Sequence, residues 1–559
     1  MGNLFFDLTI ILLLSAVLSI VFRFFKQPPI LSYILTGFLL GSFSLINFAN
    51  EEALNSLSEI GITLLLFILG LELNFSQLKS VGKTSIIAGI LQIGITGISS
   101  FVILSLLGFS QIESFFISLA LTFSSTIIIV KLLSDKKDIR SLYGKISIGI
   151  LLVQDFAAIL ALIFLGGLGS NASTPGFYDI LLLSLKAVVL FGWIYILGRH
   201  LLPVVVEKIA RSQELLFLFT LAWAFGMSAL VSSPLIGFSI EIGGFLAGLS
   251  LAHTNQSFQI ISRARPLRDF FITIFFVVLG IQTVFVGSRA ILLPFAVLVL
   301  FVVLIKPLIV LSILGFLGHR RRTSFLTSLS FGQISEFSLI LIFTGSRLGY
   351  LSGDALSLIT AVGAVGFVSS TYIMLAGNNL YRIFSSYLSL FERKNAHEKR
   401  ELKEKLEDHI VLIGVRKMGE GVLEALRRDP KNKLLVIDFD PDVIEDLGKE
   451  DLTLFGDIAD PEIQEEAALS KSKLVISTIS DLEDNIALLR SLKRLKNKPT
   501  VVVLALEKEE ARELYDEGAD YVVLPHVIGG HHLAKILVDK NQEKLIEKYK
   551  EKDLREDLL

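Results

Sequence analysis

Thirteen long apolar stretches fill the first two thirds of this 559-residue chain. They lie at roughly 4–22, 29–46, 57–72, 84–107, 113–133, 145–168, 179–198, 214–230, 235–251, 267–284, 290–313, 323–346 and 355–379. As helices they match the roughly 30 Å of hydrocarbon in a bilayer. The first lacks a basic n-region and a small-residue cleavage site, so it is expected to be a retained helix. Composition agrees, with 52% hydrophobic and 19% charged residues and a mean hydropathy of +0.66. Disordered and coiled-coil proteins are excluded. Zero cysteines exclude a disulfide scaffold, a thiolate metal site and a thiol nucleophile.

The net charge of −2 conceals a division. Residues 1–380 hold 22 Lys and Arg against 16 Asp and Glu, whereas residues 381–559 hold 30 against 38. In the apolar part, alternate loops carry 18 basic residues, from Arg23 and Lys26 in the first to Arg320, Arg321 and Arg322 in the last. The intervening loops carry only Arg289 and Arg347. The positive-inside rule then predicts an external N-terminus and a cytoplasmic C-terminal domain.

Ionisable residues at membrane depth are costly and are candidates for function. Asp155 lies in the middle of the sixth stretch, after Gln154, and Lys306 in the middle of the eleventh. The simplest arrangement has this acid and base facing one another inside the bundle, either in transport or as a staple between helices. Glu336 is as deep in the twelfth and could line an ion path or lock that helix to the fifth. Glu72 and Glu241 lie near span ends, where a water-exposed or capping role is expected. Gly243, Gly244, Ala247 and Gly248 suit close helix packing.

Ser124, Ser125 and Thr126 interrupt the fifth stretch, and Gly332, Gln333, Ser335 and Glu336 the twelfth. Such clusters suit either intact helices with back-bonded hydroxyls or broken helices lining a cavity. One interruption precedes Asp155 on the next span; the other follows Lys306 on the previous span. Spans four to six and eleven to thirteen therefore read as equivalent triplets, and their odd offset makes them inverted repeats, as in alternating-access carriers.

Beyond a charged helical linker at 381–408, six strand-like runs alternate with helix-length segments: 409–414, 433–440, 452–457, 473–480, 499–506 and 519–525. This pattern predicts an open parallel Rossmann-type sheet over 409–530, followed by a charged C-terminal helix at 531–559. After the first strand, Gly414 and Gly419 hold the outer places of a dinucleotide fingerprint and Arg416 the middle one. Asp438 ends the second strand, where an acid contacts ribose, and Asp457 ends the third. The domain either binds a nucleotide or serves as a dimerisation scaffold. No second domain remains to hold a substrate, so a dehydrogenase is not expected.

Several segments together resemble a known family: "LGLELN", "TFSSTIIIVKLLSDK", "LLVQDFAA", "GGFLAGL", "FFVVLGI", "GQISEFSLIL", "GDIADPE" and "GADYVVLP". In this order they are similar to the monovalent cation:proton antiporter-2 family. The whole chain resembles Kef-type potassium:proton antiporters with a C-terminal TrkA-N (RCK) domain. The resemblance implies a polytopic all-α membrane domain over 1–380, with about thirteen helices, inverted repeats and broken crossing helices, plus an α/β RCK domain. It implies that Asp155 carries the cation and the proton, with Thr126 on the crossing helix and Lys306 nearby. It further implies a homodimer in a bacterial inner membrane, gated by a nucleotide or a glutathione-related ligand.

The expected function is exchange of K+, or alternatively Na+, for protons by alternating access, with Asp155, Gln154, Thr126, Ser125, Lys306 and Glu336 at the ion site. Gly414, Arg416, Gly419, Asp438 and Asp457 form the expected site for a regulatory AMP, ATP or NAD(H). No required cofactor, catalytic residue, resident metal or nucleic-acid partner is expected. The rival is an RCK-gated cation channel, but no "TVGYG"-like filter occurs.

Overall fold

A computed structural model describes residues 4–42, 51–72, 83–136, 138–167, 177–233, 236–252, 254, 256–283, 289–391, 406–415, 418–438, 441–447, 452–493, 495, 497–538, 546–547 and 549–550. The chain divides into two units, one comprising most residues up to Glu392 and the other Arg393–Leu559 with the short segments Arg140–Leu142 and Gly318–Arg320.

Among the described residues, the first unit has only helices as its regular elements. Its elements are α1 (Leu4–Phe24), α2 (Pro29–Ser42), α3 (Glu51–Glu72), α4 (Lys83–Leu106), α5 (Gln111–Thr122), α6 (Thr126–Asp135), α7 (Leu142–Gly167), α8 (Phe177–Ile196) and α9 (Leu202–Ile209). They continue with α10 (Gln213–Val231), α11 (Ile240–Leu251), α12 (Ser257–Gln282), α13 (Arg289–Leu300), α14 (Lys306–Phe316), α15 (Arg321–Leu329), α16 (Glu336–Arg347), α17 (Gly353–Leu375) and α18 (Gly377–Leu388). Among the described residues, nine helical spans are long and apolar enough to cross a membrane. The other four expected stretches fall short for physical reasons. The helices α2 and α11 are short, α12 starts with a charged extension bearing Arg263, Arg265 and Arg268, and the twelfth stretch is split between α15 and α16.

Apolar residues alone do not bring helices together in lipid, so close approach depends on small residues. A Cβ at Gly248 on α11 would collide with the Phe67 carbonyl of α3, and one at Gly37 on α2 with the Val277 carbonyl of α12. Gly248→Val therefore overlaps backbone atoms that cannot rotate away. It is expected to cost about 3 kcal/mol, read as a lower midpoint of thermal aggregation in detergent.

The fifth stretch is interrupted at Phe123–Ser125 and the twelfth at Ser330–Ser335. Each break ends in a serine N-cap: Ser125 Oγ accepts from Ile128 N, and Ser335 Oγ from Phe337 N. The eleventh stretch has a π-helical turn, Phe301–Ile305, directly before Lys306. Such turns shift the register of the side chains that follow.

The second unit contains β1 (Ile410–Ile413), α19 (Met418–Arg427), β2 (Leu434–Asp438), α20 (Pro441–Leu447), β3 (Leu452–Phe455), α21 (Pro461–Glu466), β4 (Leu474–Ser477), α22 (Leu482–Leu492), β5 (Thr500–Leu504), α23 (Lys508–Asp516), β6 (Tyr521–Val523) and α24 (Pro525–Val538). All strand pairs are parallel, in the order β3-β2-β1-β4-β5-β6. This is the doubly wound order of dinucleotide-binding folds. Every expected strand is present. The near-continuous Val, Ile and Leu of β1 pack on both faces: Val411 and Ile413 with Leu488 and Leu489 of α22 on one, and Leu412 with Leu423 of α19 and Val436 on the other.

His409, beside β1, is buried, and its Nε2 lies 2.9 Å from the Ala467 carbonyl. Burial disfavours the imidazolium and lowers the pKa below 6.5, against a smaller opposing effect of that hydrogen bond. The unfolded chain then binds the extra proton, so stability present above about pH 6.5 is lost as pH falls. Amide exchange at Ile410–Ile413 should accelerate from pH 7 to pH 5.5 beyond the intrinsic chemical trend. His409→Gln should flatten that response.

Candidate functional site

The two breaks meet through polar side chains. Lys306 is fully buried, and its Nζ donates to the Phe123 carbonyl at 2.7 Å and to the Gln333 carbonyl at 2.8 Å. One ammonium thus satisfies carbonyls freed by both interruptions. Ser338 Oγ on α16 also donates to the Ala120 carbonyl of α5, at 2.6 Å.

Asp155 and Gln154 on α7 address the first break from another side. Thr126 Oγ1 donates to Asp155 Oδ2 at 2.8 Å. Gln154 Oε1 accepts from the Ser124 backbone N–H at 2.8 Å, while its Nε2 donates to Gln92 Oε1 at 2.6 Å. Gln92 Nε2 in turn donates to the Thr122 carbonyl at 3.0 Å and to Thr96 Oγ1 at 3.1 Å. Gln92 was missed by the sequence reading. Its signal is an amide four residues before a threonine inside the otherwise apolar fourth stretch.

Both carboxylates lie near half-helix starts. Asp155 binds Thr126, the first residue of α6, and Glu336 is the first residue of α16. The N-terminal ends of helices favour negative charge. Glu336 is 3% exposed, hydrogen-bonds Ser125, and leaves Oε2 without a partner. A cavity of about 760 Å³ reaches Glu336 from the side of the basic loops and is also lined by Ile128, Phe276 and Thr371. Ser124 Oγ and both amide atoms of Gln333 are likewise buried without partners.

The expected pairing of Asp155 with Lys306 is not found, because Lys306 spends its donors on backbone carbonyls and Asp155 accepts from Thr126. At the span ends, Glu72 pairs with Arg265 at 2.9 Å, and Glu241 sits in the first turn of α11.

In the second unit, Gly414 has φ +79°, and a Cβ at Gly419 would collide with the Gly414 carbonyl. Both fingerprint glycines are therefore required by the backbone where β1 turns into α19. Asp438 Oδ2 accepts from Val415 N at 3.0 Å, bringing the carboxylate to that turn. Asp457 Oδ1 accepts from Ala459 N at 2.9 Å and shapes the loop after β3. Thr478 Oγ1 donates to the Gly414 carbonyl at 2.7 Å. Arg416 lies outside the described residues.

Interrupted helices at membrane depth, crossing beside a carboxylate that a hydroxyl addresses, define the class of secondary carriers. The family model "Sodium/hydrogen exchanger, transmembrane" matches residues 10–375 and the "TrkA-N domain" model matches 410–525. The chain belongs to the sodium/hydrogen exchanger family and carries a TrkA-N domain. It is 26% identical to the putative cation/proton antiporter YbaL of Escherichia coli, over 94% of this chain and 95% of that one. It is 25% identical to the glutathione-regulated potassium-efflux system protein KefC of Klebsiella pneumoniae, over 83% and 73% of the two chains. The sodium proton antiporter MjNhaP1 of Methanocaldococcus jannaschii shares the fold of the membrane unit, with a TM-score of 0.50 and 18% identity over 69% of this chain and 97% of that one.

Proposed function

We propose that the protein exchanges a monovalent cation, K+ before Na+, for a proton, and that Asp155 holds the two in turn. The observation that carries this reading is the Thr126–Asp155 hydrogen bond beside the first helix break. It joins a carboxylate and a hydroxyl at the break where the Ser124 hydroxyl is buried without a partner, and such oxygens suit an alkali cation. The elevator-like movement of the two triplets exposes that site to each side alternately. The empty, charged site crosses poorly, and this couples one cation to one proton. K+ is favoured over Na+ because KefC, with which the chain aligns across both units, is named for potassium efflux.

The protein lies in a bacterial inner membrane as a homodimer, with the basic loops and the TrkA-N domain in the cytoplasm, as the asymmetry of 18 basic residues against two supports. The TrkA-N domain takes a regulatory nucleotide at Gly414, Gly419 and Asp438, with Arg416 and Asp457 flanking. The tight turn and the carboxylate beside it suit a phosphate and a ribose.

Proteoliposomes assayed separately with K+, Na+ and Li+ test the transport reading. Cation-dependent collapse of an imposed pH gradient is expected, largest with K+. Single-channel steps in a planar bilayer would replace the carrier with a channel. Equilibrium dialysis with AMP, ATP and NADH, on wild type and Asp438→Ala, tests the regulatory site.

A further inference from the structure

The cavity that reaches Glu336 has a rim of different chemistry from its floor. Arg23 comes from the last turn of α1, Lys26 from the turn between α1 and α2, and Lys131 from α6. All three are exposed, and none has an anionic partner among the described residues. Two further cations line the same cavity but are already engaged, Lys136 with Asp138 at 3.2 Å and Arg268 with Asp269 at 2.7 Å. The lining acids are Asp135 on the rim, the Arg268-bound Asp269, and the buried Glu336.

The positive-inside pattern explains cations at this level. It does not explain Gln27, which is 6% exposed, lines the cavity, and has neither its amide oxygen nor its amide nitrogen hydrogen-bonded. A buried unpartnered amide calls for a ligand or water. Backbone geometry presents this residue deliberately. Gln27 N donates to the Phe22 carbonyl at 2.9 Å and Lys26 N to the Arg23 carbonyl at 3.0 Å, which is the double bond of a Schellman cap. Lys26 occupies the left-handed position with φ +56°, where glycine is usual. Tyr372 Oη ties the turn to α17 through the Phe25 carbonyl at 3.2 Å.

We propose that this cavity binds a phosphate-bearing anion, with Arg23, Lys26 and Lys131 supplying charge-assisted donors and the Gln27 amide a neutral one. A guanidinium, two ammoniums and an amide N–H match the acceptor-only oxygens of a phosphate. The phosphate can belong to an anionic lipid headgroup or to a free anion, since basic pockets at helix ends take either.

The test uses the full-length protein purified in detergent. Binding of radiolabelled inorganic phosphate is measured by equilibrium dialysis, and retained phospholipid is measured after purification from phosphatidylglycerol or phosphatidylcholine vesicles. Wild type, Lys26→Gln, Gln27→Leu and Lys131→Gln are compared, with Arg199→Gln as a control outside the cavity. Lys131 is an exposed helix residue, so its variant stays folded even if the Lys26 cap does not tolerate change. Loss of one charge-assisted bond should weaken phosphate about tenfold, with the control unchanged. If wild type ignores free phosphate but retains phosphatidylglycerol, and Lys131→Gln loses it, the source is lipid. If wild type binds neither, or Lys131→Gln and Gln27→Leu bind both as wild type does, the proposal is overturned. These are binding readouts, so they stand apart from the transport reading.

Discussion

Asp155→Asn is expected to reduce cation-dependent collapse of a pH gradient to the level of protein-free vesicles. The substitution keeps the volume and the oxygen that accepts from Thr126 Oγ1 at 2.8 Å, so the helix contact survives. It removes the charge, and with it both the attraction for a cation and the site for an exchangeable proton. A folded but inactive protein is the predicted outcome, with an unchanged elution profile and thermal midpoint. Thr126→Ala should be milder. It takes one neutral donor from the carboxylate, so the pH profile of exchange shifts while activity remains. If Asp155→Asn still couples cation to proton, Glu336 is the remaining carboxylate at the crossing, and the Glu336→Gln variant would then show the loss.

The second large effect is expected at Lys306, and on stability rather than chemistry. Lys306→Met fills a similar volume but leaves the Phe123 and Gln333 carbonyls buried without their donor. Leaving a buried acceptor without its donor costs about 1–3 kcal/mol each, so a loss of about 3 kcal/mol is expected. It should appear as a lower thermal midpoint. Lys306→Gln restores one donor and should recover part of the loss. If Lys306→Met is as stable as wild type and only transport falls, the ammonium serves ion movement and not the crossing.

The apolar stretches were legible because span length and lipid chemistry leave few alternatives. The breaks were legible for a related reason: Ser124, Ser125 and Thr126, or Gln333, Ser335 and Glu336, have no use on a lipid-facing surface. Extents were less readable. The helix α12 starts about ten residues before its apolar run, at Ser257 rather than near 267, because its charged first turns carry no hydropathy signal. The partner of Lys306 was misread for a deeper reason. A backbone carbonyl freed by a broken helix has no residue type, so no pattern of letters distinguishes it from a carboxylate acceptor. Gln92 was overlooked because one amide in an apolar span looks incidental until its three hydrogen bonds are seen. In the second unit, strand runs bounded by Gly and Asp gave the sheet its six members.

The ammonium between the breaks also decides where ion preference can be encoded. Pores that strip water from potassium with rings of main-chain oxygens write their selectivity into backbone shape. Here the carbonyls of Phe123 and Gln333 already accept from the Lys306 amine, which occupies the same oxygens against a second cation. On the proposed exchange reading, the ion is instead dehydrated by side chains: the carboxylates of Asp155 and Glu336 and the hydroxyls of Ser124 and Thr126. Preference between K+ and Na+ then becomes a matter of replaceable groups, so exchanging a serine for a threonine or an alanine should retune it while the crossing stays intact.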